Sequence, residues 1–109
     1  MFARVITLQL LPGKLDEFLR IFQDAIAPAA AAQQGFGGIT VLTDPRIGTV
    51  LVVGLWETVA EMLASEIGDD EEQLARVSGL FAAPSAREVY EVSVQVEITE
   101  QGSARVRGI

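Results

Sequence analysis

Between Thr49 and Trp56 the chain reads Val50, Leu51, Val52, Val53, Gly54, Leu55, so a strand formed there carries apolar or small residues at almost every position. Successive strand residues point to opposite sides of a sheet, which puts Val50, Val52 and Trp56 on one face and Leu51, Val53 and Leu55 on the other. The first strand repeats the pattern, with Val5 and Ile6 directed oppositely. A chain of 109 residues has length for one domain with one sheet and two or three helices. Those helices can cover one sheet face, and the other face needs a second sheet, most economically from an identical subunit. A homodimer is therefore expected.

The remaining elements follow from periodicity. Phe2 to Leu11, bounded by Pro12-Gly13, reads as a central strand. Leu15, Phe18, Leu19, Phe22 and Ile26 recur at helical spacing opposite Asp16, Glu17, Arg20, Gln23 and Asp24, which makes an amphipathic helix. Pro28 should kink or restart it before it runs on to Gln34 and stops at Gly35. Phe36–Thr43 and Thr49–Trp56 form a hairpin through Asp44-Pro45-Arg46-Ile47-Gly48. Thr58 and Glu61 make a capping box that starts a second helix carrying Val59, Met62, Leu63 and Ile67. Gly68 breaks that helix, and the acidic run 69–72 opens a further one carrying Leu74, Val77, Leu80 and Phe81. Carboxylates in a row also suit a hard divalent cation, but compensation of the helix dipole accounts for these. Arg87–Thr99 alternates as a long final strand, and its thirteen residues would reach roughly 40 Å, past the sheet and onto a partner. The order is βαββαβ, the ferredoxin-like split βαβ pattern, in an α+β antiparallel sheet with helices on one face. Residues 1–100 make the domain and 101–109 a C-terminal tail.

Charge and composition exclude several functions. Eight Lys and Arg against fifteen Asp and Glu give a net charge of −7, which repels nucleic acid and anionic membrane surfaces. The chain has no Cys and no His. That removes disulfides, thiolate ligands, the Ser-His-Asp and Cys-His constellations, and haem held by an axial imidazole. No signal peptide and no apolar run of spanning length is present, so a cytoplasmic address is expected. Gly35-Phe36-Gly37-Gly38 resembles a phosphate loop only superficially, because it precedes a strand rather than opening a helix.

Val50-Leu51-Val52-Val53-Gly54-Leu55-Trp56-Glu57-Thr58 followed by a helix, the close of the first strand at Leu11-Pro12-Gly13-Lys14, and the Gly35-Phe36-Gly37-Gly38 entry to the second strand together resemble the antibiotic biosynthesis monooxygenase superfamily. The resemblance covers most of residues 1–100. It implies a dimeric α/β barrel with a pocket between helices and sheet in each subunit. Members include cofactor-independent oxygenases of aromatic polyketides and quinols, haem-degrading enzymes, and domains without known activity. The haem-degrading branch has a first-strand Asn, a second-helix Trp and an axial His that fall near Ile6, Ser65 and Ala75 here, so haem degradation is not implied.

The residues that could line such a pocket are Arg4, Phe22, Trp56, Met62, Phe81 and Tyr90, with Phe18 beside them. Trp56, the sole Trp, could stack on a planar ligand or simply anchor the core. Tyr90 could exchange a proton with a phenol, or be buried with one hydrogen bond. Arg4, in phase with Ile6, could bind an anionic or enolate oxygen, or pair with Glu91 or another acid. The Phe and Met residues serve equally as core. Two functions remain open: a monooxygenase of an aromatic or quinol substrate that needs no cofactor, or a non-catalytic ligand-binding or structural homodimer. A cofactor-free isomerase would need a base, for which Tyr90 and Glu91 are the candidates. No metal or other cofactor is implied.

Overall fold

β1 (Phe2–Gln9) is rich in β-branched and long apolar residues with one charge, Arg4, and it lies inside a four-stranded antiparallel sheet ordered β2-β3-β1-β4. The computed structural model describes residues 1–67 and 69–108, and the backbone alone of Ile67, Asp69, Asp70, Glu71 and Arg107. After β1 come α1 (Leu15–Ile21), a π-helical turn (Phe22–Ile26) and α2 (Ala27–Ala31). β2 (Phe36–Asp44) and β3 (Thr49–Trp56) form the expected hairpin, and α3 (Val59–Ile67) and α4 (Asp69–Val77) lead through a short 3-10 turn to β4 (Ala86–Glu91). This is the βαββαβ, ferredoxin-like arrangement. Gly68, the expected break between α3 and α4, lies outside the described residues, as do the side chains of Asp69, Asp70 and Glu71 that make the expected acidic helix start.

The irregularity expected at Pro28 is the π-helical turn just ahead of it, where the Ala27 N–H bonds the Phe22 carbonyl. Proline offers no N–H to the carbonyl four residues back and its ring crowds that carbonyl. One extra residue in the preceding turn accommodates both effects. The helix ends at Ala31 rather than Gln34, and Gly35 takes φ 78° so that its carbonyl can accept the Glu57 N–H at 2.8 Å. The Thr58 cap forms as expected. Its Oγ1 accepts the Glu61 N–H at 3.1 Å and donates to the Glu61 carboxylate at 2.9 Å.

Alternation along β3 is regular: Val50, Val52, Gly54 and Trp56 are buried, while Leu51, Val53 and Leu55 are half-buried. Val50 and Val52 join Leu8, Leu10, Phe18, Phe22 and Val77 in the core, with Ile6, Ile39, Val41, Leu74 and Phe81 packed against it. The helices therefore cover one face. Val5, Leu51, Val53 and Leu55 look out from the other.

The stretch Arg87–Thr99, expected as one strand, is two. The Val92 N–H bonds the Met1 carbonyl at 2.9 Å, and there β1 has ended, so nothing in this sheet remains for the chain to pair with. It instead pairs with itself. β5 (Val94–Ile98) and β6 (Ala104–Gly108) form a separate two-stranded sheet through a turn in which Gly102 has φ 81°. The residues beyond 100, expected as a tail, thus supply a strand. Val94, Val96, Ile98 and Val106 on this hairpin are 58–70% exposed.

At Gly35 a side chain meets two obstacles: the positive φ, and a Cβ position 2.3 Å from the Glu61 carboxyl carbon. Gly35→Ala should lower stability by about 1–2 kcal/mol, read as a lower urea midpoint at unchanged slope. In a Glu61→Ala background the added cost should shrink, because the clash is then gone. Equal costs in both backgrounds would show that Glu61 is not part of the constraint.

Candidate functional site

The site grows out of the register at the middle of the sheet. Arg4 lies directly across from Gly54 on one side and Val89 on the other, Ile6 across from Val52 and Arg87, and Trp56 across from Phe2 and Phe36. Because Gly54 has no side chain, the Arg4 guanidinium has room beside the inner face of the sheet, where it is 6% exposed.

A buried cation needs compensation, and α3 supplies it. Arg4 Nη1 donates to Ser65 Oγ and to Glu66 Oε1, both at 3.3 Å. Ser65 Oγ in turn donates to the Met62 carbonyl at 2.6 Å, which holds it in place. Arg87 Nη1 comes from β4 to the same Glu66 oxygen at 3.5 Å. The Arg4 guanidinium carbon also sits 5.8 Å from the Trp56 ring centroid, a cation–π contact worth about 0.5–2 kcal/mol. Trp56 meets Phe36 edge-on at 5.6 Å.

Beside this cluster, between helices and sheet, lies a cavity in which water-sized centres can occupy about 60 Å³. Its polar wall is Arg4, Arg87, Gln73 and the Trp56 indole, and its apolar wall includes Phe18 and Phe22. Room for several waters is room for one small ring. Trp56 is 2% exposed, and its indole N–H has no hydrogen-bond partner among the described residues; the Gln73 amide oxygen likewise has none. Buried polar groups left unpaired are rare and call for an explanation, of which an absent ligand is one.

Of the sequence-predicted residues, Arg4, Phe22, Trp56 and the neighbouring Phe18 meet at the cavity. Met62, Phe81 and Tyr90 do not. Met62 is buried against the sheet by α3, and Phe81 packs on the core beside Leu10, to which it forms a single bridge. Tyr90 pairs in register with Ala3, so it points to the face opposite Arg4. It is 51% exposed instead of buried, and it donates to the Glu88 carboxylate. Glu91 is exposed at the sheet's end across from Phe2, so Arg4 pairs with Glu66 rather than with it, and neither candidate isomerase base reaches the cavity. Ser65, Glu66, Gln73 and Arg87 were not legible beforehand. Only Arg87 left a trace, being in phase with Val89 and Glu91 on the last strand. No group of three or more Asp, Glu, His or Cys placed to hold a metal ion occurs among the described residues. Among the described residues no helix is long and apolar enough to cross a membrane.

A family model described as antibiotic biosynthesis monooxygenase matches residues 1–70, from β1 to the start of α4. Solved structures share the fold at low identity. A protein of Nitrosomonas europaea named for the same family superposes with a TM-score of 0.72 at 14% identity, covering 84% of this chain and 98% of its own. A second N. europaea protein, of unknown function, gives 0.72 at 22% identity over 84% of this chain and 87% of its own. A monooxygenase of Streptomyces coelicolor, solved in complex with nanaomycin D, gives 0.71 at 16% identity over 82% and 84%. Among curated proteins nothing matches.

The Glu88 carboxylate, by hydrogen bond and by charge, holds the Tyr90 phenol above its ordinary pKa. Tyr90 is the only Tyr in the chain, so ultraviolet titration reads it directly. Glu88→Gln should move that titration down toward the ordinary value. An unchanged curve would show that the pair does not persist in solution.

Proposed function

The chain belongs to the antibiotic biosynthesis monooxygenase family, and on that premise we propose that it is a monooxygenase acting on an electron-rich aromatic or quinol without a cofactor. The observation that carries this reading is the convergence of the Arg4 and Arg87 guanidiniums and the Trp56 N–H, which has no partner among the described residues, on a largely apolar cavity. Aromatic walls would hold the ring, and the guanidiniums would stabilise negative charge as it develops on a ring oxygen. An ionised ring is electron-rich enough to reduce dioxygen itself. In oxidising a phenol to a quinone, dioxygen gives one atom to a ring carbon, and its other atom leaves as water with the two hydrogens the phenol surrenders. All four electrons come from the substrate.

The lack of a side-chain base on the described cavity wall favours the second reading, a ligand-binding dimer without catalysis. Oxygen-electrode measurements with a panel of phenols and hydroquinones, in the presence of a chelator, separate the two. One equivalent of oxygen consumed per equivalent of quinone, with one atom of labelled dioxygen in the product and no hydrogen peroxide released, supports the enzyme. Gly54→Val, which a strand tolerates but which fills the space beside Arg4, should then cut the rate about a hundredfold. Ring binding without oxygen uptake would leave the non-catalytic module.

The working unit in this proposal is a homodimer. The outer sheet face, with Val5, Leu51, Val53 and Leu55, and the exposed valines of the β5–β6 hairpin are two apolar surfaces on one chain that its own helices leave uncovered. The radius of gyration, 14.8 Å, exceeds the roughly 13 Å of a compact chain of this length, as a projecting hairpin requires. Sedimentation equilibrium should give twice the chain mass of 11.7 kDa. Val96→Lys with Val106→Lys should weaken association by at least about tenfold. A monomeric parent protein would sink the dimer.

A further inference from the structure

We infer that the ligand of the cavity is a single ring with a carbonyl oxygen on one side and a hydroxyl on the other. The carbonyl accepts from the Trp56 indole N–H, and the hydroxyl donates to the Gln73 amide oxygen. This rests on the reading of the cavity as an aromatic site and adds which polar groups the ring carries. Its ground is a pair of complementary atoms. Among the described residues, the Trp56 N–H is a buried donor that meets no acceptor, and Gln73 Oε1 is a buried acceptor that meets no donor. Both residues line the cavity. An indole N–H can only donate, so the group that satisfies it is an acceptor. An amide oxygen can only accept, so its partner is a donor.

The two atoms belong to different layers. Trp56 ends β3 in the sheet and Gln73 stands on α4 in the helical layer, so a ligand that serves both spans the cavity from sheet to helix. Gly54 gives the place of the carbonyl. A Cβ there would stand 3.6 Å from Trp56 Nε1, so the bare glycine leaves an atom-sized notch beside the indole N–H. The remaining wall includes Phe18, Phe22, Ile26 and Val52, which suit the faces of a ring, and the space of about 60 Å³ for water-sized centres takes one small ring. Ordered water is the rival occupant. It would satisfy each atom separately and give no preference among rings.

Four rings of nearly equal size separate these by calorimetric titration without oxygen, at a pH where the phenols are un-ionised. 4-Hydroxyacetophenone carries both groups, acetophenone the carbonyl alone, 4-ethylphenol the hydroxyl alone, and ethylbenzene neither. The first should bind about tenfold more tightly than either single-group ring. Trp56→Phe keeps an aromatic ring but removes the N–H, and should erase the advantage over 4-ethylphenol while leaving that over acetophenone. Gln73→Leu should do the reverse. An advantage that survives both variants would overturn the inference. Should Trp56→Phe not fold, the parent protein answers instead. Trp56 is the only Trp, so its indole N–H gives a single NMR cross-peak, which acetophenone should move downfield and ethylbenzene should not. Four equal affinities with an unmoved indole peak would overturn the inference while the aromatic site stands. Binding of none of the four would overturn the reading of the cavity and the inference with it.

Discussion

A guanidinium buried on the inner face of a sheet dictates how everything around it is arranged. Arg4 cannot give up its proton at any ordinary pH, so the charge must be compensated where it stands. That obliges the strand opposite to carry Gly54, which leaves room, and obliges α3 to bring Ser65 and Glu66 over the sheet at 3.3 Å. Trp56 closes the other side through its ring face. Three segments, β1, β3 and α3, are thereby held in one arrangement by a single charge. Removing Glu66 would take a carboxylate away from a buried cation, a larger loss than that of a surface ion pair.

The cavity is a by-product of the same packing. Phe18 and Phe22 from the first helix fill the core beside Leu8, Val50 and Val52, but nearer Arg4 the wall turns polar and no side chain occupies the notch above Gly54. An apolar space that ends in donors orients a ligand as well as enclosing it. The π-helical turn contributes to this placement, because Phe22 and Ile26 both lie within it and both line the space. Its cause is Pro28, so a local backbone restriction reaches as far as the shape of the site.

The outer half of the molecule follows a different constraint. β4 pairs with β1 only while β1 lasts, and past Glu91 the chain must satisfy its backbone groups by folding on itself. The resulting hairpin keeps Gln95 and Glu97 half-buried and turns Val94, Val96 and Ile98 outward. Apolar residues so displayed, together with the apolar outer face of the sheet, are the surfaces that the proposed homodimer would bury.

Element types and their order were legible because they depend on near neighbours: alternation in β1 and β3, helical spacing from Leu15 to Ile26, the Thr58–Glu61 cap. Three of the six pocket candidates, Arg4, Phe22 and Trp56, were legible because each combined a chemical type with a position on the inner face of its element. Tyr90 misled for a related reason. Its face depends on the register of β4 against β1, and a shift of one residue exchanges Tyr90 for Val89. Glu66, Gln73 and Arg87 look like ordinary surface residues of amphipathic elements until α3 and β4 are laid beside Arg4. Sequence by itself determined the βαββαβ order and the surplus of apolar strand faces, since both are set by periodicities within single elements. Only the tertiary structure decided which charged groups meet, because a contact across the sheet is set by register and helix placement, and neither is encoded in any one segment.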